Sequence, residues 1–537
     1  MKKSMLKIGC LTLMSALVVS SLAGCKAKVK ETTTESKAAY TGRFEKTLEI
    51  KLPVYDRGIQ GEAAVDNNYW TKWMADKALK DINVKVTYVP IPRNQDVDKF
   101  NLLLAANDAP DVIYSYDYPV ISSFTSRGAF QEITSDMLDT YGPNLKKYLG
   151  DELLAYGKID GKQMLIPAKR PMLGDYAGTI RKDWLDKVGM KVPTTNDELY
   201  AVLKAFKTQD PGGVGKDKVI PMTMSGFGNN SQSTPYWSFL DDKISDRDFA
   251  IYSDLIVTPL TWEPAKKALQ MYNKFYNEGL VSPEFALDAD SKKAEAAISN
   301  GQVGIFSARI SKSPPIFETL VKNVPTAKFE AMPGLVQTAG AKQEAYGYYP
   351  YGMLSGINKN AENPEAVIAY YDWMSKTENL NSIENGIEGK TYKMVDGLPV
   401  MDSTYKGAEK LILNTNRDYL CILSSDRDTG DDAKNIKIKS LSDAPTGFTD
   451  YFVENYNASL KAMNTNNFTF TSPVTSLTKN SNTLKAKYQE YGIKLIMCKP
   501  AEFEALYKTY SKEYLSSGYQ EIIDEKGKLY DAQIAKK

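Results

Sequence analysis

Apolar positions along this chain keep two rhythms, a period of two and the three-and-four spacing of a helix face. Residues 47–53 (Thr-Leu-Glu-Ile-Lys-Leu-Pro) alternate and predict a strand. Residues 68–80 set Trp70, Trp73, Met74, Lys77 and Ala78 on one face behind an Asn68 cap, which predicts an amphipathic helix. Residues 84–90 read as a second strand, 97–106 as a second helix and 110–114 as a third strand. That rhythm argues for a mostly parallel sheet covered by helices. Helices are also expected over 195–207, with caps and early acids at Thr194 to Glu198, and over 264–277, ended by Gly279. Another starts at Asn363-Pro364-Glu365, and the last stretch, 501–537, reads as helices broken at Gly518. Trp70, Trp73, Trp184 and Trp373 fall inside helical patterns and are expected in the core.

The first residues follow neither rhythm. Lys2, Lys3 and Lys7 precede an apolar run over 8–19, too short and too interrupted for a stable membrane span and suited to a signal peptide. Leu22-Ala23-Gly24-Cys25 follows and resembles a bacterial lipobox, which implies cleavage before Cys25 and lipid on that cysteine. Residues 1–24 are therefore expected to be a signal peptide. Residues 25–47 are expected to be the lipidated cysteine with a polar, flexible tether, and the protein to be held by that anchor on the extracellular face of the cell membrane.

Composition narrows the chemistry. The 537 residues exceed one ordinary core, so two or more domains are expected. Lys and Arg number 67 against 66 Asp and Glu, so no global field exists to steer nucleic acid. Removing 1–24 takes three lysines and no acid, so the net charge goes from +1 to 1 − 3 = −2. There is no histidine, which removes Ser-His and Cys-His pairs and His-based zinc sites. Tyrosine (34) nearly doubles phenylalanine (18), and rings with one polar tip suit clefts that are apolar on one side and wet on the other. Cys421 and Cys498 can pair or remain buried thiols.

Several ordered blocks resemble the extracellular solute-binding proteins of bacterial ABC importers. They are Lys99-Phe-Asn-Leu-Leu-Leu-Ala-Ala-Asn-Asp-Ala-Pro-Asp-Val-Ile113, Gly128-Ala-Phe-Gln-Glu-Ile133, Tyr141-Gly-Pro-Asn-Leu-Lys-Lys-Tyr148 and Ile159-Asp-Gly-Lys-Gln-Met-Leu-Ile-Pro167. Ile180-Arg-Lys-Asp-Trp-Leu-Asp-Lys-Val-Gly189 is the most specific, and resembles the long lipoprotein branch of Gram-positive bacteria associated with oligosaccharide uptake. Ile298-Ser-Asn-Gly-Gln-Val-Gly-Ile-Phe306 and Asn385-Gly-Ile-Glu-Gly-Lys390 extend it past the midpoint. The resemblance implies an α/β, two-lobed, periplasmic-binding-protein-like fold (type II) with a hinge and a central ligand cleft. It places crossovers near 167–180, near Ile298 and around 349–358, with 48–167 plus 300–355 as lobe 1 and 168–299 plus 356–537 as lobe 2. The implied partners are a small-molecule ligand, oligosaccharide first, and the importer's permease subunits; the protein is expected to be a monomer without nucleic acid. In many relatives the helix ending near Phe206 is followed by a calcium-like loop. Here Gly212 and Val214 replace oxygen ligands and Val219 replaces the closing acid, so no metal and no cofactor are expected.

Sugars offer apolar ring faces and hydroxyl edges, so aromatic platforms beside polar groups on strand-end loops are the candidates. Tyr116 and Asp117 follow a predicted strand, Trp237 and Trp262 lie near loops, and Tyr348, Tyr349 and Tyr351 form the densest aromatic cluster. Each tryptophan is read equally as core. Arg181 is read either as a ligand contact or as the ion-pair partner of Asp183, and Arg309 follows a strand and is a further cleft candidate. The competing readings are a carbohydrate-active hydrolase or lyase with paired carboxylates and a surface sensor of the same fold. No nucleophile elbow, Walker loop or dinucleotide loop supports an enzyme.

Overall fold

The structure is a computed structural model that describes residues 40–535, except 60–62, 172–173, 175–176, 225–234, 241–243, 254–256, 289, 308–309, 311–312, 333, 343–344, 347, 413–417 and 465–467. The signal segment, Cys25, most of the tether and Arg309 lie outside the described residues. The end of the expected tether is packed instead. Phe44 stacks on Tyr141 at 5.9 Å and its N–H donates to the Ile82 carbonyl at 3.2 Å, while Arg43 donates to the Leu79 carbonyl at 3.2 Å. One ring among polar residues is enough to bind that segment to the fold.

Among the described residues nine strands form the main sheets. They are β1 (Leu48–Asp56), β2 (Val84–Pro92), β3 (Val112–Ser115), β4 (Ile166–Lys169), β5 (Gly178–Arg181), β6 (Ile220–Met222), β7 (Val303–Ser307), β8 (Phe329–Met332) and β9 (Tyr351–Ile357). β1 and β2 run parallel in register from Leu48 opposite Val84. The Asp111 N–H donates to the Lys51 carbonyl at 2.9 Å and ties the start of β3 beside β1. β9 lies antiparallel between β3 and β4 and is buried along its whole length, as a central strand covered on both faces must be. The second sheet has the order β8-β5-β7-β6, of which only β6 and β7 are parallel. The expected parallel arrangement thus holds for β1–β2 and β6–β7. β5 and β9 enter from the other half of the molecule and are free of the helical crossover that imposes a parallel return.

Local signals set the helices. Asn68 caps Tyr69–Ile82 by accepting from the N–H groups of Trp70 (2.9 Å) and Thr71 (3.1 Å), and the Thr71 hydroxyl accepts from the Asn68 N–H in return. Thr195 and Glu198 form the same box on Asn196–Gln209. At the C-terminus Gly518 takes φ 111° between Phe503–Tyr514 and Gln520–Ile534, and a Cβ there would meet the Asn480 side chain at 2.4 Å. Trp70, Trp184 and Trp373 are buried, and Trp73 is half-buried with its ring edge-on to Trp70.

Two cores result. The first gathers Leu52, Val54, Met74, Ile113, Leu354, Val367 and Leu423; the second is built on both faces of β7, where Ile305 faces one layer and Phe306 the other. The segments therefore divide differently from the expected lobes. Within 300–355, β7, β8 and the helix Pro314–Asn323 belong to the second sheet and its layers, and only β9 joins the first. The helix Pro364–Ser375 and the turn Asp418–Ile422, expected in lobe 2, pack on the first core. The pairing of β7 with β5, more than a hundred residues earlier, decides this. Cys421 packs against the first core and Cys498 against the second, neither in a disulfide.

Candidate functional site

The chain passes between the cores at 170–177, 333–350 and 424–431, and what lies at these crossings faces both. The expected crossover near Ile298 is not among them: Lys292–Ser299 leads directly into β7 of the same core. Other contacts bind the cores directly. The Tyr118 hydroxyl donates to the Phe470 carbonyl at 2.9 Å, the Thr478 hydroxyl to the Pro119 carbonyl at 3.1 Å and the Ser472 hydroxyl to Asp160 at 3.1 Å.

Between these contacts and the crossings lies a cleft of 590 Å³, within the usual range of small-ligand sites. Tyr156, Lys158, Lys169, Arg170 and Pro350 line it from the first core, and Thr469, Phe470 and Thr471 from the segment that enters the second. Tyr351 is 4 % exposed behind this wall, with Tyr349 stacked on it at 5.1 Å and Tyr156 tilted against it at 5.1 Å. The Arg170 guanidinium lies 4.1 Å from the centre of the Tyr348 ring, and the Arg170 backbone N–H donates to the Pro350 carbonyl at 2.8 Å. Burial, with Tyr349 and Tyr118 beside it, holds the Tyr351 phenol well above its ordinary range. Burial and Glu152 raise that of Tyr156. These phenols stay protonated near neutral pH and serve as platforms and hydrogen-bond donors rather than as bases.

A second aromatic group sits at the carboxyl ends of β1, β2 and β3, the ordinary crevice of an open α/β sheet. Tyr55 stacks on Tyr116 at 6.1 Å, and the Arg93 guanidinium lies 4.8 Å from the first ring and 5.5 Å from the second. Asp96 accepts from the Tyr55 hydroxyl at 2.7 Å and from Arg93 at 3.2 Å. Burial first, then the Asp96 charge, pushes the Tyr55 phenol up. Tyr116 is half-buried and Asp117 exposed, one residue before the Tyr118 contact to the second core.

The structure thus brings Tyr116, Asp117, Tyr348, Tyr349 and Tyr351 to the zone where the cores meet, with Tyr351 as a supporting layer. Three other candidates are elsewhere engaged. Arg181 is 2 % exposed and donates to both Asp183 oxygens at 2.8 and 2.6 Å, the internal pairing of its two readings; a side chain so enclosed has no surface for a ligand. Trp262 is buried, stacked on Tyr252 at 5.6 Å beside Ala265 and Ala268, and acts as packing. Trp237 is half-buried with its ring edge-on to Phe249, in the turn Pro235–Phe239. Asp210 turns both carboxylate oxygens onto its own loop, accepting from the N–H groups of Val214 (3.1 Å) and Gly215 (2.8 Å). Sequence reasoning missed Lys169, Arg170, Tyr156 and Thr469; a basic pair at the end of β4, inside an expected crossover, was the available signal for the first two.

Two α/β cores joined by repeated crossings around a cleft define a hinged binding protein. The chain belongs to the bacterial extracellular solute-binding proteins, whose family model matches residues 63–380. It is 36 % identical over 366 residues to the polygalacturonan/rhamnogalacturonan-binding protein YtcQ of Bacillus subtilis, covering 62 % of this chain and 68 % of that one. It is 26 % identical over 371 residues to the lipoprotein LipO of the same species, covering 66 % and 68 %. The fold matches the Streptococcus pneumoniae ABC-transporter substrate-binding protein FusA in complex with kestose, with a TM-score of 0.63 at 18 % identity over 91 % of this chain and all of that one. Among the described residues no helix is long and apolar enough to cross a membrane.

Proposed function

We propose that this protein captures an oligosaccharide in the cleft between its cores and presents it to the permease subunits of an ABC importer. It acts as a monomer, tethered to the outer face of the membrane through Cys25, and does no chemistry on its cargo. The observation that carries this reading is a cleft lined by Tyr156, Arg170 and Pro350 from one core and by Thr469 and Phe470 from the other, with Tyr348 against Arg170 and Tyr349 stacked on Tyr351. A ligand touching both walls prefers the closed state, so binding and closure are linked. The lobes correspond to the two cores, 48–168 plus 351–423 and 178–332 plus 436–534. Relatives named for polygalacturonan/rhamnogalacturonan and for fructooligosaccharide support a saccharide ligand, and LipO supports the lipid anchor. Among the described lining residues Glu152 is the one carboxylate, which favours capture over glycoside hydrolysis by an acid pair.

The test is thermal unfolding of the soluble form starting at Lys26 across a panel of oligosaccharides, with each mixture analysed for degradation. Ligand at about 100 times its Kd adds about 2.7 kcal/mol to the native state and raises the midpoint. A shift with the sugar intact supports capture. Degradation would return the hydrolase reading, and no shift with any saccharide would end the sugar assignment.

A further inference from the structure

We infer that the cargo is anionic: a saccharide bearing carboxylates, one of which seats on the guanidinium of Arg170. This rests on the oligosaccharide reading above and adds the charge of the ligand. Several cations around the cores are matched. Lys169 meets Asp428 at 2.5 Å, Arg93 meets Asp96 at 3.2 Å, Arg181 meets Asp183 at 2.6 Å and Lys439 meets Asp426 at 2.8 Å. Arg170 is half-buried in the cleft wall and has no acid within ion-pair distance among the described residues. Lys158, exposed on the same rim, has none either.

Geometry specifies what would complete the site. Stacking on Tyr348 at 4.1 Å covers one face of the guanidinium and leaves its in-plane N–H fork for a partner. A carboxylate matches that fork with two parallel hydrogen bonds; a neutral hydroxyl fills only one. From the opposite wall Thr469 contributes a buried hydroxyl oxygen with no hydrogen-bond partner, although its carbonyl is held by Gln533 at 2.9 Å. A buried hydroxyl without a partner and an arginine without an acid, on residues that line the same cleft, fit a site that its ligand completes. A neutral sugar's hydroxyl oxygens would accept from Arg170 singly but bring no charge to balance it.

The experiment is calorimetric titration of the protein with trigalacturonate and with its fully methyl-esterified form, the same shape without charge, and with kestose as a neutral saccharide. The acid should bind about ten- to a hundredfold tighter than the ester, the size of a charge-assisted bidentate contact, and its affinity should fall as salt rises. Arg170→Gln should abolish that discrimination, bringing the acid's affinity down to that of the ester, with the thermal midpoint unchanged. Arg170→Lys should restore part of it, and Thr469→Val should weaken the acid more than the ester. Equal binding of acid and ester, or an acid preference that survives Arg170→Gln, overturns the inference. Binding of kestose alone overturns it too but leaves the oligosaccharide reading standing, whereas silence toward all three saccharides overturns both.

Discussion

Two arginines in this protein lie on tyrosine rings at nearly the same height, and they do opposite things. Arg93 sits 4.8 Å over Tyr55 at the ends of the first strands, and Arg170 sits 4.1 Å over Tyr348 at a crossing between the cores. The first is closed by Asp96, which also takes the Tyr55 hydroxyl. The second is left open toward the cleft. Similar stacking therefore says little about role; the counter-charge decides. Where the protein supplies an acid, the arginine orders aromatic rings and stiffens a strand end. Where it supplies none, the cation is available to a ligand.

Four substitutions break or sharpen that contrast. Asp96→Ala should cost most, about 1–3 kcal/mol of stability, because it strands a buried tyrosine hydroxyl and uncovers Arg93; urea unfolding measures it, and a neutral result would erase the difference between the two regions. Tyr118→Phe removes a hydrogen bond between the cores, expected at about 1 kcal/mol, or about a fivefold shift toward an open form. Small-angle scattering without ligand should then show a larger radius of gyration, and saturating ligand should restore the smaller one.

Asp428→Asn should matter near neutral pH and cease to matter in acid. Burial acts to raise the Asp428 carboxyl, but the Lys169 hydrogen bond and the Gly430 N–H outweigh it and hold the group below its ordinary value of 3.8. A carboxyl more acidic in the folded state contributes stability above the unfolded value, lost as pH falls through the folded one. The variant should be the less stable protein near neutral pH, and the difference should shrink as pH falls through the carboxylate range, read by unfolding at a series of pH values. Arg170→Gln should change stability least, by less than about 0.5 kcal/mol, since no acid among the described residues depends on it. A larger loss would mean that Arg170 belongs with Arg93 as structure.

Much of the fold could be read locally. The Asn68 cap, the Thr195–Glu198 box and the break at Gly518 lie within a few residues of what they control, and each stands within a residue or two of the expected position. The aromatic cluster at Tyr348 to Tyr351 was legible as a density of rings. Other readings failed where the deciding partner is distant. Trp262 gives no local sign that Tyr252 will cover it. Nothing near residue 303 says that β7 will pair with β5 rather than with the first sheet. The last residues of the apparent tether look polar until Phe44 is seen against Tyr141.

By itself the sequence determined the secondary elements, the α/β class, the family and the supply of tyrosines, because period, caps and ordered motifs act over short spans and survive without knowledge of the fold. Tertiary structure alone decided which segments share a core, which rings are wall and which are packing, and which cations keep their charge for a ligand. Asp428 closes Lys169 from far along the chain, and among the described residues no acid comes to the adjacent Arg170. The screening and pairing of a charge depend on distances of a few ångströms, and only folding sets those distances.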